Sequence, residues 1–339
     1  MSDLKKYRSD KPLVLESGKV LNGIEVAYHT YGQYDAEIDN VIWICHALTA
    51  NSNAEDWWPG MIGKGYLFDP EKHFIVCANI LGSCYGTTGP LSINPDTGKP
   101  WYLGFPALTV RDLVAAHELL RVHLGIKRIH TVIGGSIGAH QAMEWAIIQP
   151  ELFDHLIILA AGASYTPWGI AFNESQRLAL QADPSFYNES ADAGQAGLIA
   201  ARSIALISYR NFLIYNKTQA EYDTEKTNDF KASSYQRYQG EKLVRRFHAH
   251  PYFTLLNVLD SHNVGRGRGG VEKALTGIKA RTLVVGITSD YLFAIHEQVS
   301  LASQIPGAVY SEIDSLYGHD GFLVEAEKVT QTINDFYSI

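Results

Sequence analysis

Three polar residues in this 339-residue chain stand where proton-coupled nucleophilic chemistry needs them. Ser136 lies in Gly134-Gly135-Ser136-Ile137-Gly138, a G-x-S-x-G pentapeptide. A serine hydroxyl barely ionises at neutral pH, so it needs a base within hydrogen-bond reach and an acid to orient that base. Asp290, in Thr288-Ser289-Asp290, and His319, in Tyr317-Gly318-His319-Asp320-Gly321, follow it in the order Ser, Asp, His. That is the chain order in folds that present the serine on a strand-to-helix elbow. Each residue alone has a plainer use: the glycines make a tight turn, the aspartate caps a helix, the histidine sits in solvent. Their joint order, each at the end of an expected strand, marks Ser136 as nucleophile, Asp290 as acid and His319 as base.

The elements around them must supply that geometry. The run at 129–133 is apolar and β-branched, and 139–146 has helical character. Strand, sharp turn and helix make the elbow, with the backbone N–H of Ile137 aimed at the reacting carbonyl. A second donor for the oxyanion is expected from Cys45-His46-Ala47-Leu48-Thr49-Ala50, which follows an early strand. The N–H groups of Leu48 and Ile137 are the candidate pair, and His46 is expected to brace that loop rather than act as a base.

Apolar runs at 41–45, 74–78, 155–161, 282–287 and 308–313 predict further strands, and the spacing over 109–124 predicts a helix ended by Gly125. Fully apolar strands separated by helices imply an α/β fold with a mostly parallel central sheet, covered by helices on both faces. The segment 164–268 breaks the rhythm with long Ala-, Leu- and Tyr-rich helical patterns and no clear strand. It is expected to be a helical lid inserted between core segments 1–163 and 269–339, over the sheet edge where ligands bind.

Composition narrows the function classes. A net charge of -8 opposes nucleic-acid binding. Residues 1–6 lack the apolar core of a secretory signal, and no apolar run approaches a membrane span, so a cytoplasmic protein is expected. The three cysteines, Cys45, Cys77 and Cys84, are too few for a disulfide framework. The first two fit buried strands, and Cys84 lies in a loop. Neither CxxC nor HExxH occurs, so no metal site is indicated.

From about Leu13 onward the chain resembles the homoserine O-acetyltransferases of the α/β-hydrolase superfamily. The resemblance rests on Cys45-His46-Ala47-Leu48-Thr49, on Asn79-Ile80-Leu81-Gly82-Ser83-Cys84-Tyr85-Gly86-Thr87-Thr88-Gly89-Pro90 and on Ser92-Ile93-Asn94-Pro95. It continues in the serine pentapeptide, Glu144-Trp145-Ala146, Ser261-His262-Asn263-Val264-Gly265-Arg266-Gly267-Arg268-Gly269-Gly270, Ile287-Thr288-Ser289-Asp290 and the 317–323 segment. The Cys-Tyr-Gly-Thr-Thr-Gly-Pro block is far more specific than G-x-S-x-G. The resemblance implies an α/β-hydrolase fold with the same triad, acetyl-CoA as co-substrate, no tightly bound cofactor, and a homodimer formed through the lid. It also implies substrate contacts at Arg202 and Asp320, which suit the carboxylate and ammonium of homoserine respectively. Arg266 and Arg268 have two open uses: contact with the phosphates of CoA, or a turn leading from the insertion back to the core. Ala139, the run Tyr291-Leu292-Phe293-Ala294 and the short, divergent insertion with Tyr209-Arg210-Asn211-Phe212 depart from the family pattern. These departures bear on the choice of acyl group and acceptor. The rival functions are succinyl transfer, a serine acceptor, a plain esterase or thioesterase, and an inactive scaffold that only binds.

Overall fold

The computed structural model describes residues 2–38 and 40–339. Eight strands form one sheet: β1 (Lys5–Arg8), β2 (Glu25–Tyr31), β3 (Val41–Cys45), β4 (Phe74–Ala78), β5 (Ile129–Gly135), β6 (Phe153–Leu159), β7 (Arg281–Ile287) and β8 (Val309–Ile313). Their spatial order is β1-β2-β4-β3-β5-β6-β7-β8. β2 is antiparallel to β1 and β4, and every other pair is parallel. The parallel strands match the expected apolar runs to within two residues. β1 and β2 were not expected from their sequences. β1 is a polar, largely exposed edge, and β2 mixes His29 and Thr30 into a strand that is nonetheless buried.

Alternate residues of the parallel strands feed two cores, as a period of two requires. Trp43, Val76, Val132, Leu156 and Val284 face one side. Ile44, Cys77, Ile133, Ile157 and Val285 face the other. Helix α1 (Val110–His123) and helix α2 (Ile137–Ile148) cover the first core. There the Trp145 ring meets Trp43 edge-on, with centroids 5.0 Å apart. α1 stops as expected at Gly125, which takes φ 69°.

Between β6 and β7 the chain forms α3 (Pro167–Gln181), α4 (Gln195–Tyr209), α5 (Phe212–Thr218), α6 (Lys231–Val244) and α7 (Ala249–Asp260). No strand lies in this insertion among the described residues. It leaves and rejoins the core at one place. Tyr165 N donates to His262 O (2.9 Å) and Val264 N to Ala163 O (3.0 Å). α8 (Ile295–Gln304) and α9 (Ala326–Ser338) complete the core. Val329, Ile333 and Phe336 of α9 lie at helical spacing over the second core.

The return loop is held by charge. Buried Glu144 of α2 accepts from Arg111 Nε (3.1 Å) and Arg268 Nη1 (3.0 Å), and Arg266 pairs with Glu16 at 2.8 Å. Arg266 and Arg268 therefore serve the turn from insertion to core, the second of their two open uses. No single helix among the described residues is long and apolar enough to cross a membrane.

Among the histidines buried in the fold are His46, His117, His140 and His262. Burial depresses the first two to about 4 and His262 to about 3, and holds His140 well below the ordinary value. Between folded and unfolded values only the unfolded chain takes up the proton, so stability is full above the unfolded value and declines as pH falls through it. Urea midpoints are expected to drop as pH is lowered from 6.5 toward 4. In His117→Gln the slope of stability against pH in that window should flatten by about 1.4 kcal/mol per pH unit.

Candidate active site

Ser136 follows directly on β5, and its position is set by backbone contacts. Its N–H donates to Leu159 O (3.0 Å), extending the β5–β6 ladder by one residue, and its own carbonyl accepts from His140 N (3.1 Å) to start α2. Joining a strand to a helix in one residue forces φ 58° and ψ −128°. Such a conformation costs about 1–3 kcal/mol for a side chain other than glycine and persists only when the surroundings impose it. They do so by close approach. A Cβ at Gly138 would lie 2.0 Å from Cys45 O, and one at Gly134 would lie 2.2 Å from Gly138 C.

Asp290 sits three residues beyond β7, in a turn closed by Asp290 N donating to Ile287 O (3.0 Å). Its Oδ1 accepts from the N–H groups of Leu292 (2.8 Å) and Phe293 (3.0 Å). Its Oδ2 lies 2.7 Å from His319 Nδ1. An ionised carboxylate only accepts, so the Nδ1 proton points at Asp290 and Nε2 of the neutral ring carries the lone pair. The ring is caged by Phe293, Phe322 and Tyr209, with centroids 5.2, 5.5 and 5.8 Å away. His319 Nε2 is buried without a hydrogen-bond partner. It and Ser136 line one cavity of about 70 Å³, together with Leu48, Arg202, Tyr209 and Asp320. Unliganded sites often hold such pairs apart until a substrate closes them.

The loop after β3 reaches this cavity through Leu48. The backbone N–H groups of Leu48 and Ile137 have no hydrogen-bond partner among the described residues. His46 braces the loop: its Nδ1–H donates to Ala47 O (2.9 Å), and its Nε2 accepts from Ile80 N (3.1 Å). Both ring nitrogens are thus occupied, which leaves His46 no part in proton transfer.

Arg202 and Asp320 flank the same cavity. Arg202 has no carboxylate partner among the described residues, and its guanidinium lies over the Tyr209 ring at 5.5 Å. Asp320 pairs with Arg210, Nε to Oδ2 2.7 Å. The sequence marks Tyr209 and Arg210 only as part of a divergent stretch of the insertion and gives neither a role. Tyr209 had a usable signal, because it stands seven residues after Arg202 and so shares its helix face. Arg210 had none, since its partner comes from a distant loop.

A strained serine at a β5–α2 elbow and an Asp-paired histidine beyond β7 and β8, on this sheet order, define an α/β-hydrolase. The chain matches the family described as alpha/beta hydrolase fold over residues 40–326. Among curated relatives, the homoserine O-acetyltransferase of Cyclobacterium marinum is 47% identical over 98% of this chain and 94% of the relative. The crystal structure of homoserine O-acetyltransferase from Bacillus anthracis has a TM-score of 0.91 at 23% identity, over 98% of each chain. Esterase E22 is as similar in shape, with a TM-score of 0.90 at 23% identity over 99% of this chain and 100% of that one. These two likenesses show the fold alone. The sequence relationship goes further: the chain belongs to the homoserine O-acetyltransferase family.

Gly138→Ala tests the elbow. The added carbon must displace the β3 carbonyl, so a loss of at least about 2 kcal/mol is expected in urea unfolding. A variant as stable as the parent would show that the approach of Gly138 to Cys45 is not a constraint.

Proposed function

We propose that the protein moves the acetyl group of acetyl-CoA to the side-chain hydroxyl of L-homoserine, by a ping-pong reaction through acetyl-Ser136. The observation that carries this is the lining of one small cavity by Ser136, the Asp290-paired His319, and two opposite charges suited to a free amino acid. His319 Nε2 takes the Ser136 proton as Oγ attacks the thioester carbonyl. The N–H groups of Leu48 and Ile137 receive the tetrahedral oxyanion, a contribution of about 3 kcal/mol each in comparable sites. The C–S bond breaks, and the leaving thiolate takes the proton back from Nε2. The homoserine hydroxyl then gives its proton to Nε2 and attacks the acetyl carbonyl. Ser136 leaves and is reprotonated. Arg202 suits the acceptor carboxylate, and Asp320 suits its ammonium.

At about 70 Å³ the cavity takes only the reacting ends, so the body of CoA lies outside it, along a path beneath the insertion. That confinement supports transfer over hydrolysis, because it limits the water beside the acyl group. A cytoplasmic location follows from this role in amino-acid biosynthesis. The insertion also carries exposed apolar side chains, among them Trp168, Ile207 and Phe212, around a hollow of about 600 Å³. We assign this face to a homodimer.

Mass spectrometry after brief exposure to acetyl-CoA alone tests the first half-reaction. A gain of one acetyl group is expected, lost on adding homoserine and absent in Ser136→Ala. No adduct in the parent protein would overturn the mechanism. A mass set by succinyl-CoA instead, or loss of the adduct to water as fast as to homoserine, would favour the rivals. For the assembly, light scattering is expected to give twice the chain mass at micromolar concentration, and a monomer would refute the dimer.

A further inference from the structure

One charged group paired with the cavity wall has no part in the reaction above. Arg210 follows the last residue of α4, and its Nε lies 2.7 Å from Asp320 Oδ2. The N–H is out of line with that oxygen, so the contact is an ion pair rather than a hydrogen bond. Both side chains are well shielded, 25% and 16% exposed, which spares the pair much of the screening that weakens surface pairs. The guanidinium carbon also stands 6.0 Å from the centre of the Tyr317 ring.

The two backbones are locked together. Gly318 takes φ 66°, and a Cβ there would lie 2.8 Å from Asn211 N and 2.9 Å from Tyr209 O. Asn211 Nδ2 donates to Ser289 O at 3.2 Å, and Gly318 N donates to Ser289 Oγ at 2.9 Å. The segment carrying Arg210 is therefore clamped to both loops that present Asp290 and His319. Arg210 lines the outer apolar hollow, whereas Asp320 lines the catalytic cavity. The pair stands in the wall between them.

We propose that Arg210 is a positioning residue that sets acceptor specificity, anchoring one oxygen of Asp320 so that the other is presented to the α-ammonium group of an amino-acid acceptor. This rests on the assignment of Asp320 to the acceptor amine. A carboxylate held at neither oxygen turns freely about its last bond, and binding an acceptor must first stop that rotation. With Oδ2 fixed by a side chain whose backbone cannot slide, Oδ1 meets the amine already oriented. Arg210 touches neither the acyl group nor the hydroxyl, so its influence reaches the reaction only through the amine.

The test compares two acceptors, homoserine and 4-hydroxybutyrate, which is homoserine without its amine. The full-length protein and Arg210→Met are assayed for the CoA burst from acetyl-CoA and for kcat/KM with each acceptor. In Arg210→Met the burst rate is expected to stay within about twofold and kcat/KM for homoserine to fall about tenfold, with 4-hydroxybutyrate little changed. The preference for homoserine thus collapses by about tenfold while the acylation machinery stays intact. If Arg210→Met does not fold, Arg210→Lys carries the test, with a fall of about threefold in the same ratio. A preference that survives in the variant overturns the proposal alone. Equal losses on both acceptors overturn it too, because they mark a merely structural role. A parent protein with no preference between the acceptors sinks the assignment of Asp320 together with the proposal.

Discussion

The strained backbone at Ser136 is the constraint on which the site depends. A residue at φ 58° has no local reason to stay there. It stays because β5 is fixed on both sides, by β3 and β6, and because α2 starts immediately behind it. The strain is met by the whole central sheet, whose buried apolar strands cannot shift register without turning their side chains to the wrong core. The same turn that strains Ser136 leaves Ile137 at the first position of a helix, where its N–H has no intrahelical acceptor. One distortion thus exposes a hydroxyl and frees an oxyanion donor beside it. The glycines at 134 and 138 are the condition for both, since any side chain there would push strand and helix apart.

Charge is used in two ways around this elbow. Behind it, Glu144 gathers Arg111 and Arg268, and Glu16 gathers Arg111 and Arg266. That cluster ties α2 to the loop where the insertion returns, and its charges are spent on one another. In front of it, Asp290 takes two backbone N–H groups on one oxygen, which leaves the other for His319. A carboxylate so fixed orients an imidazole without competing rotamers. Arg202 alone among these arginines faces the cavity without a carboxylate partner. On the proposed reading, this unpaired charge is what the carboxylate of an amino acid meets.

What the sequence made legible follows the range of each interaction. Strands such as 41–45 and 74–78 are buried on both faces, so every residue is apolar and the run announces itself. β2 is equally buried, but His29 bonds Ser52 and so satisfies its polar atom inside the core, hiding the strand from any apolar count. The three candidate catalytic residues could be picked out because each follows an expected strand, although β8, before His319, carries Ser311 and Glu312 and is largely unburied. The run at 155–161 overshoots its strand for a local reason: Ala160 turns to φ 48°, which ends β6 at Leu159. Arg210 and Phe322 could not be found the same way. Their roles exist only where the insertion and the 317–323 segment close over one cavity, and nothing in either segment alone encodes that meeting.

A serine elbow with its histidine and aspartate serves hydrolysis and transfer alike, so the triad cannot by itself decide which occurs. The acyl-enzyme partitions between water and acceptor according to which is held closer to the carbonyl at the moment His319 is free to take a proton. Whatever water the confined cavity admits needs little orientation. An acceptor competes only if binding gives it an effective concentration far above that of the solvent, and oriented intramolecular reactions reach about 10⁵–10⁸ M. On the proposed reading, a cation and an anion lining the cavity hold the α-carboxylate and the α-ammonium at one end of the amino acid, which leaves only its short side chain to place the hydroxyl. On that reading the distinction between transferase and hydrolase is carried by the side chains that order the acceptor, while the catalytic backbone stays the same.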